Sequence, residues 1–339
     1  MIYNEKVDII IPAYNVPDDI LMRVLSSIAC QDKKEFFEIT IVDDASTQQN
    51  YQEVIDRFKT ILKINLLRYE INGGPGVARQ YGLDRTNNEF ITFVDADDVI
   101  NGYFSLNMLR DALINNKQWQ MVRGQTQETL EYPNQCVFSP MGLNMVWLFG
   151  KMYRRSFLER YGIHFHPTAR SNEDVGFNAQ WEMYLEDTDS IGNIEEVVYY
   201  WLDNHNSITR EDNRSYSYRD DETGSFYGFV ENMCFSVGEC LKRKPASQYI
   251  QKYIIETMIS IYVYYFECEC HAPQYAKKNF EYCKKFYKKY YEGLEDSIPQ
   301  NLLKNIYSIV LKDFYMSNKS FDIIPSLDYF TFLNKLKEV

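Results

Sequence analysis

The sequence predicts an α/β fold, with a mostly parallel sheet flanked by helices in its first part and an α-helical region after it. Three observations predict this class. The first hundred residues alternate apolar runs of strand length with segments of helical periodicity. Polar clusters follow several of the strand-like runs directly. Beyond about residue 210, Gly and Pro become rarer, while Tyr, Phe, Lys and Glu dominate long helix-compatible stretches.

The first strand and helix are predicted at the start of the chain. Val7-Asp8-Ile9-Ile10-Ile11 is a mainly apolar run of the kind buried on both faces of a parallel sheet, and Pro12 ends it. The residues Pro17-Asp18-Asp19 are a helix start signal, and apolar residues then recur at helical spacing as far as Ile28. A strand followed by a helix is the repeating unit of a parallel sheet.

Further strands and helices are predicted by the same two criteria. They are strands at residues 38–42, 64–67 and 90–94, a helix through residues 54–62, and a helix through Arg79 and Leu83 that a glycine-rich turn at residues 72–76 precedes. Polar residues follow the first, second and fourth strands, as Ala13-Tyr14-Asn15, Asp43-Asp44-Ala45-Ser46 and Asp95-Ala96-Asp97-Asp98. Ligands bind beyond the carboxyl ends of strands in such sheets, so one pocket is expected to collect all three clusters.

Composition narrows the class of protein. The formal net charge of -12 over 339 residues argues against a surface that tracks nucleic-acid phosphates. The apolar runs near the N-terminus are far shorter than the ~20 residues of a membrane helix, so no transmembrane segment is expected. The N-terminus has no signal-peptide pattern, and seven cysteines, an odd number, fit reduced thiols. These features predict a cytoplasmic protein.

Asp95 and Asp97 are the strongest chemical feature, since two carboxylates at a spacing of two follow a buried strand. Mg²⁺ and Mn²⁺ take oxygen ligands and are often held by one or two carboxylates together with substrate phosphates. An anionic pair does not bind a diphosphate directly, which favours a bridging metal. The alternative is that these aspartates only cap the next helix or form a turn.

Three further positions suggest nucleotide binding. Asp44 is a candidate to accept a hydrogen bond from a nucleobase, or else Asp44 or Ser46 caps the following helix. Tyr14 is a candidate to stack on that base, or else a core aromatic. Arg79, about one turn into the helix after the glycine-rich turn, is a candidate phosphate ligand or else a structural ion-pair partner. The turn is not a Gly-x-Gly-x-x-Gly fingerprint, so a nicotinamide cofactor is disfavoured.

In their order along residues 6–210, these motifs resemble the family-2 glycosyltransferases, whose fold is called GT-A. The resemblance is carried by Pro12-Ala13-Tyr14-Asn15, Val42-Asp43-Asp44-Ala45-Ser46, Asn72-x-Gly74 with Ala78-Arg79 and Gly82, Phe93-Val94-Asp95-Ala96-Asp97-Asp98, residues 150–158, Gly162-Ile163-His164-Phe165 and Ser171-Asn172-Glu173-Asp174-Val175-Gly176-Phe177. The segment Tyr199-Tyr200-Trp201 with His205-Asn206-Ser207-Ile208 is similar to the family's segment that closes over the diphosphate. Trp201 departs from the arginine common there.

The resemblance implies an inverting transferase with a nucleotide-sugar donor, most often a UDP-sugar, and Mn²⁺ or Mg²⁺ as cofactor. It implies that Asp97, with His205, ligates the metal and that Asp174 is the catalytic base. A carboxylate can take the proton from an attacking hydroxyl, although Glu173 and Asp174 also favour a helix N-terminus electrostatically. The donor-binding residues implied are Pro12, Tyr14, Asn15, Asp44, Gly74, Arg79, Asp95 and Ser207.

The expected domains are a GT-A catalytic domain at residues 1–210 and a helical domain at residues 211–339, which would bind the acceptor or mediate oligomerisation. A lysine-rich and aromatic stretch at residues 277–290 fits an amphipathic helix with a solvated face, or alternatively a patch for an anionic acceptor, a membrane surface or a second copy. The acceptor expected is a glycan or a cell-surface polymer precursor; the transferred sugar stays open.

Two rival functions are weighed against transfer. A nucleotidyltransferase also needs paired carboxylates and a metal, but it usually carries a basic glycine-rich loop after its first strand, where this chain has Pro12-Ala13-Tyr14-Asn15. A non-catalytic nucleotide-sugar binding protein would be expected to have lost Asp97 or Asp174, and both are present.

Overall fold

The structure, a computed structural model, describes residues 5–132, 135–143, 145–186, 189–202, 224–245, 247–294, 298–317 and 325–338. The chain divides into two compact units. The first comprises Met1–Thr168 and Tyr184–His205, and the second comprises Ala169–Met183 and Asn206–Val339. The boundary expected at residue 210 stays a prediction, and the short segment 169–183 groups with the later helices.

The first unit contains the sheet and the helices that cover it. Its elements are β1 (Val7–Ala13), α1 (Asp18–Ala29), β2 (Phe37–Asp43), α2 (Gln52–Phe58), β3 (Lys63–Arg68), α3 (Pro75–Leu83), β4 (Phe90–Phe93), β5 (Val99–Ile100), α4 (Ser105–Asn115), β6 (Trp119–Tyr132), β7 (Gln135–Gly142), β8 (Lys151–Arg154), α5 (Arg155–Tyr161) and, after α6 (Glu173–Tyr184), β9 (Ser190–Trp201). The predicted strands and helices of the first hundred residues are therefore confirmed, with one difference: α2 ends at Phe58, and Leu62 is buried in the turn before β3.

One mixed sheet joins the described strands in the order β3-β2-β1-β4-β8-β6-β9-β5, with β7 paired to β6. The strands β1 to β4 are parallel to one another, as predicted. Beyond β4 the pairing becomes mixed, because β8, β7 and β5 each run antiparallel to a neighbour while β9 is parallel to β6. The parallel half therefore brings the carboxyl ends of β1, β2 and β4 to one edge.

The central strand β1 is buried because its residues face packed layers on both sides. Ile9, Ile10 and Ile11 are fully buried, and β1 pairs with β2 on one side and β4 on the other. The ladder with β4 ends at Ile10, so Pro12, which has no N–H to donate, lies beyond it. A Cβ added at Gly82 would lie 2.7 Å from Cγ2 of Ile10, so glycine lets α3 approach β1 closely.

At the amino end of the strands, a buried ion pair joins β1 to α5. The carboxylate of Asp8, 2% exposed, accepts from Arg155 Nη2 at 2.8 Å and from the backbone and side-chain amides of Asn88 at 2.9 and 2.6 Å. Arg155 also donates to the carbonyls of Asn88 and Leu83 and to the hydroxyl of Thr86. Every charged group of this pair thus has hydrogen-bond partners, which is the condition for tolerating a buried charge.

The second unit is helical, as predicted for the later part of the chain. Its described elements are most of α6, then α7 (Ser225–Arg243), α8 (Gln248–His271), α9 (Ala276–Phe286), a π-helical turn (Tyr287–Tyr291), α10 (Gln300–Ser317) and α11 (Tyr329–Lys337). Aromatic rings form much of its core: the ring of Tyr262 lies 5.2 to 5.4 Å from those of Phe266, Tyr329 and Phe332. In the part of the chain that the structure describes, no helix is long and apolar enough to cross a membrane.

Candidate active site

The loops after β1 and β2 are tied together by Asn15. Its backbone N–H donates to Oγ of Ser46 at 2.8 Å, and its side-chain oxygen accepts from the amides of Thr47 and Gln48 at 2.9 and 3.1 Å. Asn15 adopts a left-handed backbone, φ 51°, which asparagine tolerates better than most residues. Asn15, predicted as a donor-binding residue, therefore has a structural role in holding two binding loops in place.

The end of β2 is fixed by a buried carboxylate. Asp43 is 2% exposed and accepts from the backbone amide of Ser46 at 2.8 Å and from Nη1 of Arg68 at 2.5 Å. The hydroxyl of Tyr51 accepts from the amide of Val16 at 2.9 Å and lies 3.0 Å from Oγ of Ser46. These bonds orient the loop that carries Asp44 without using Asp44 itself.

Asp44 anchors the glycine-rich turn. Its two carboxylate oxygens accept from the backbone amides of Gly73 and Gly74 at 2.7 and 2.8 Å, and it is 3% exposed. The alternative that Asp44 or Ser46 caps the following helix is wrong, because α2 follows Tyr51 and its first amide, that of Gln52, donates to Oδ1 of Asn50 at 3.2 Å. A carboxylate offers about four lone-pair sites, so the predicted contact with a nucleobase is chemically compatible with this anchoring.

Gly74 and Tyr14 border the same edge of the sheet. Gly74 precedes α3 with φ 87°, a conformation that favours glycine, and Pro75 begins the helix. Tyr14 directly follows β1 and is 50% exposed, so the alternative that it is a core aromatic is wrong. Pro12 is partly buried within β1. The predicted roles of these three residues in donor binding stay predictions.

Arg79 forms an ion pair with Asp95. Nη2 of Arg79 donates to Oδ1 of Asp95 at 2.5 Å, with side-chain exposures of 7% and 31% respectively. The structural alternative for Arg79 is thus realised in this state of the protein. The pair also brings an arginine of α3 to the carboxylates after β4.

The three aspartates after β4 concentrate negative charge. Asp95 and Asp97 are partly exposed, whereas Asp98 is 1% exposed. Asp98 accepts from the hydroxyl of Tyr199 at 2.7 Å and from the backbone amide of Leu202 at 2.9 Å. Burial, reinforced by the negative charges of Asp95 and Asp97, raises the pKa of Asp98 well above its ordinary value. The same burial, with the nearby Asp98 and Asp95, raises the pKa of Tyr199.

Tyr199 links the aspartates to the far half of the sheet. Its hydroxyl donates to Asp98 and accepts from the backbone amide of Asp95 at 3.1 Å. Its ring stacks on Phe149 at 5.0 Å and 10° between planes, and Phe149 stacks in turn on Trp147 at 5.6 Å and 9°. The indole of Trp201 lies 6.2 Å from both Phe149 and Trp147. An aromatic stack therefore fixes Tyr199, and through it the loop of Asp95 to Asp98.

The residues present fit a hard divalent cation. Carboxylate oxygens are the ligands that Mg²⁺ and Mn²⁺ prefer, and a cation would offset the negative charges of Asp95 and Asp97, which add to burial in raising the pKa of Asp98. Among the described residues, no three His, Cys, Asp or Glu side chains form a metal-binding group. One or two carboxylates with substrate phosphates are the usual set for Mg²⁺, so Asp97 and Asp95 would hold the ion together with a bound diphosphate.

Asp174 belongs to the second unit, at the first turn of α6. It is partly buried, and one of its carboxylate oxygens accepts from the backbone amide of Val175 at 2.8 Å. The electrostatic role at a helix start is therefore realised, while the role as a base stays a prediction. His205 and Ser207, predicted for the metal and the phosphates, lie outside the described residues.

Sequence reasoning missed two residues whose hydrogen bonds hold carboxylates of the site in place, Tyr199 and Arg68. Tyr199 lies 101 positions from its partner Asp98, and Arg68 lies 25 positions from Asp43. No local sequence pattern predicts either contact. The one sequence signal for Tyr199 was that it belongs to the family-like segment Tyr199-Tyr200-Trp201.

Comparison with known proteins gives a match to one family. The model of the family described as glycosyl transferase family 2 matches residues 8–170. The chain is 29% identical over 207 residues to poly(ribitol-phosphate) β-N-acetylglucosaminyltransferase TarS of Staphylococcus aureus, covering 58% of this chain and 35% of that protein. It is 27% identical over 244 residues to the poly(ribitol-phosphate) β-glucosyltransferase of Bacillus spizizenii, covering 68% of this chain and 37% of that protein. The chain thus spans about a third of the length of these relatives.

Solved structures match over nearly the whole chain. The crystal structure of S. aureus TarS 1–349 has a TM-score of 0.65 at 20% identity and covers 94% of each chain. The same fragment in complex with UDP-GlcNAc has a TM-score of 0.66 at 20% identity, covering 93% of this chain and 91% of that one. This likeness shows the fold, a GT-A sheet domain with a helical C-terminal region. The ordered motifs, the fold and the match of the family model to residues 8–170 together support a family-2 glycosyltransferase.

Proposed function

We propose that this protein is an inverting glycosyltransferase that moves a hexosyl or N-acetylhexosaminyl group from a UDP-sugar to a hydroxyl of a cell-surface polymer. The observation that carries the proposal is the concentration of carboxylates at Asp95, Asp97 and Asp98, at the carboxyl edge of a GT-A sheet. Such an edge is where α/β folds bind ligands, and a negatively charged edge needs a cation before it can accept a diphosphate.

The donor is argued from the loops at this edge. Asp44 anchors the turn that leads into the N-terminus of α3, where a helix favours anions, and Tyr14 supplies an exposed ring at the end of β1. A relative of known structure carries UDP-GlcNAc in its crystals, which supports UDP as the nucleotide. In this chain Asp44 would accept the uracil N3–H, and Tyr14 would stack on the ring.

The metal would be held by Asp97, with Asp95 supporting. When bound, a divalent cation supplies Lewis-acid stabilisation of the departing diphosphate. Arg79, now paired with Asp95, adds a positive charge at the same place and would share Asp95 with the ion. The stack of Tyr199 and Phe149 keeps the aspartate loop in one geometry, which is the preorganisation that electrostatic catalysis requires.

Asp174 would act as the base. The attacking hydroxyl must lose its proton as the new glycosidic bond forms, and a positioned carboxylate can receive it. A single displacement of this kind inverts the configuration at the anomeric carbon, and it needs no covalent nucleophile in the protein.

The acceptor is proposed from the two relatives, both named for poly(ribitol-phosphate). Those proteins are about three times longer than the span matched here, so the acceptor is a proposal for this chain and not a property of the matched domain. We take an alditol-phosphate polymer as the first acceptor to test.

The test is a transfer assay with UDP-GlcNAc or UDP-glucose, Mn²⁺ and a ribitol-phosphate polymer. Wild-type protein should release UDP faster with the polymer than without it. Asp174→Asn should lower transfer roughly a hundredfold to ten-thousandfold while UDP binding is unchanged, because the amide keeps the shape of the carboxylate but cannot take a proton.

A matched control is Glu173→Gln at the neighbouring position, which should retain most of the transfer rate. Near wild-type transfer by Asp174→Asn would contradict its role as the base. Loss of UDP binding in Asp174→Asn would contradict it equally, since that residue would then serve the donor.

A further inference from the structure

A cavity of about 350 Å³ opens within the helical unit, between α8, α9, α11 and the residues just before α11. Small-molecule pockets in proteins usually measure about 300 to 1,000 Å³, so this one is sized for a single small polar unit and not for a long chain. Its lining is mixed: aromatic rings form the inner wall, and carboxylates and lysines form the rim. None of the described residues proposed for the donor, the metal or catalysis lines it.

The ring of Phe280 is a partly exposed part of the aromatic wall. Tyr265 is buried, and its ring lies 5.8 Å from that of Phe280, which is partly exposed. The ring of Phe332, fully buried, lies 5.9 Å from Phe280 at 82°. Phe280 is therefore held by two buried rings while part of its own surface borders the cavity. Such a ring face suits the C–H groups of a sugar or an alditol.

One carboxylate of the rim, that of Glu269, is held in a fixed orientation by two hydrogen bonds. Glu269 accepts from the hydroxyl of Tyr265 at 3.2 Å on one oxygen and from the hydroxyl of Ser326 at 3.3 Å on the other. These two bonds fix the plane of the carboxylate and leave further lone pairs, because a carboxylate has about four. Burial and the charge of Glu269 raise the pKa of Tyr265 above its ordinary value, so Tyr265 remains a donor to Glu269. Glu269 can thus accept from a ligand hydroxyl.

Two lysines complete the rim. Lys277 and Lys335 line the cavity from α9 and α11 and are exposed. The remaining rim carboxylate, Glu281, is paired with Lys284 at 3.4 Å, and Lys284 lies 5.3 Å from the Phe280 ring. The rim therefore carries positive charge in excess of its unpaired carboxylate, in a protein whose net charge is -12. A phosphate beside a hydroxyl-rich unit would match this arrangement.

We propose that this cavity binds one alditol-phosphate or sugar-phosphate unit of the acceptor polymer, with Phe280 under its C–H face, Glu269 on its hydroxyls and Lys277 and Lys335 on its phosphate. The proposal rests on the acceptor proposed above. This site would bind a repeat of the polymer other than the one being glycosylated. Such a second contact raises the effective concentration of the acceptor hydroxyl at the transfer site.

The test measures binding of ribitol 5-phosphate, ribitol and inorganic phosphate to the full chain by saturation-transfer NMR and titration. Ribitol 5-phosphate should bind, ribitol should bind more weakly, and inorganic phosphate should not displace either at equal concentration. Phe280→Ala and Glu269→Gln should each weaken both alditols at least tenfold. The double variant Lys277→Ala with Lys335→Ala should lower ribitol 5-phosphate to the affinity of ribitol.

Lys252→Ala is the matched control, because Lys252 is an exposed lysine of α8 outside the cavity that pairs with Glu256 at 3.5 Å. It should leave binding unchanged. UDP binding of every variant should match wild type, which separates this site from the donor site. Phe280→Ala should unfold at a lower temperature, because it loses packing on Tyr265 and Phe332, and the other variants should unfold as wild type does. Protein that binds UDP but not the alditols would overturn the cavity proposal alone. Displacement by inorganic phosphate, or unchanged binding by Phe280→Ala, would overturn it as well.

Discussion

The two ends of the parallel strands both bury carboxylates, and they treat the charge in opposite ways. At the amino end, Asp8 meets Arg155 and both amides of Asn88, so its charge is matched by donors on every side. At the carboxyl end, Asp98 lies beside Asp95 and Asp97, and burial with their repulsion raises its pKa. The first arrangement stabilises the fold, and the second favours binding of a cation.

Burial of a carboxylate therefore has two different consequences in this sheet. A buried carboxylate that has a full set of donors contributes to stability and is costly to disturb. A carboxylate crowded by others costs stability in the absence of a ligand, and perturbed acids of this kind cluster at functional sites. Substitutions at the two ends should therefore differ in which measurement they change.

The largest effect is expected at the amino end. Arg155→Ala leaves the carboxylate of Asp8 buried without its charged partner and should lower the free energy of unfolding by about 3 to 5 kcal/mol, measured by denaturant titration. The double variant Asp8→Asn with Arg155→Met removes both charges and should lose less. A loss below about 1 kcal/mol for Arg155→Ala would show that the pair is not what makes this end stable.

A smaller effect is expected at Asp44, whose carboxylate joins the loop after β2 to the glycine-rich turn. Asp44→Asn replaces one of the two oxygens that accept from Gly73 and Gly74 and should cost about 1.5 to 3 kcal/mol of stability. The control Asp56→Asn alters an exposed ion pair between Asp56 and Lys59 and should leave the free energy of unfolding nearly unchanged.

Competition between nucleotides tests a second effect of Asp44→Asn, on the preference for UDP. If Asp44 also accepts the uracil N3–H, then wild type should prefer UDP to GDP and ADP, and Asp44→Asn should lose that preference. A variant that is destabilised yet keeps the full preference for UDP would restrict Asp44 to its structural role.

The smallest effect on stability is expected at Tyr199. Tyr199→Phe keeps the ring that stacks on Phe149 but removes the hydroxyl shared by Asp98 and the amide of Asp95, and it should cost about 1 kcal/mol. Metal-dependent UDP binding should weaken in addition. Tyr200→Phe, one residue along the same strand, should change neither the free energy of unfolding nor metal-dependent UDP binding. Equal effects of the two variants would show that the hydroxyl of Tyr199 has no special role.

Local sequence patterns were sufficient for the parallel half of the sheet. Apolar runs of strand length and helical spacing gave β1 to β4 and the helices between them, and the polar clusters marked the strand ends that carry Asp44 and Asp95. The helical character of the chain after residue 224 was likewise visible in its composition.

The rest depends on contacts between distant residues. Arg155 reaches Asp8 across 147 positions, and Tyr199 reaches Asp98 across 101, so neither contact has a local signal. The same holds for the mixed half of the sheet, where β9 returns beside β6 and pairs with β5. Residues expected to bind the donor, Asn15 above all, proved to have structural contacts that a motif cannot reveal.

We expect the carboxyl end to need a divalent cation before it accepts a diphosphate, a claim that calorimetric titration of UDP can test. Wild-type protein should bind UDP at least tenfold more tightly with Mn²⁺ than with a chelator, a difference of about 1.4 kcal/mol. Asp97→Asn should abolish that difference without loss of stability. Equal UDP affinity with and without Mn²⁺ in the wild type would contradict the claim.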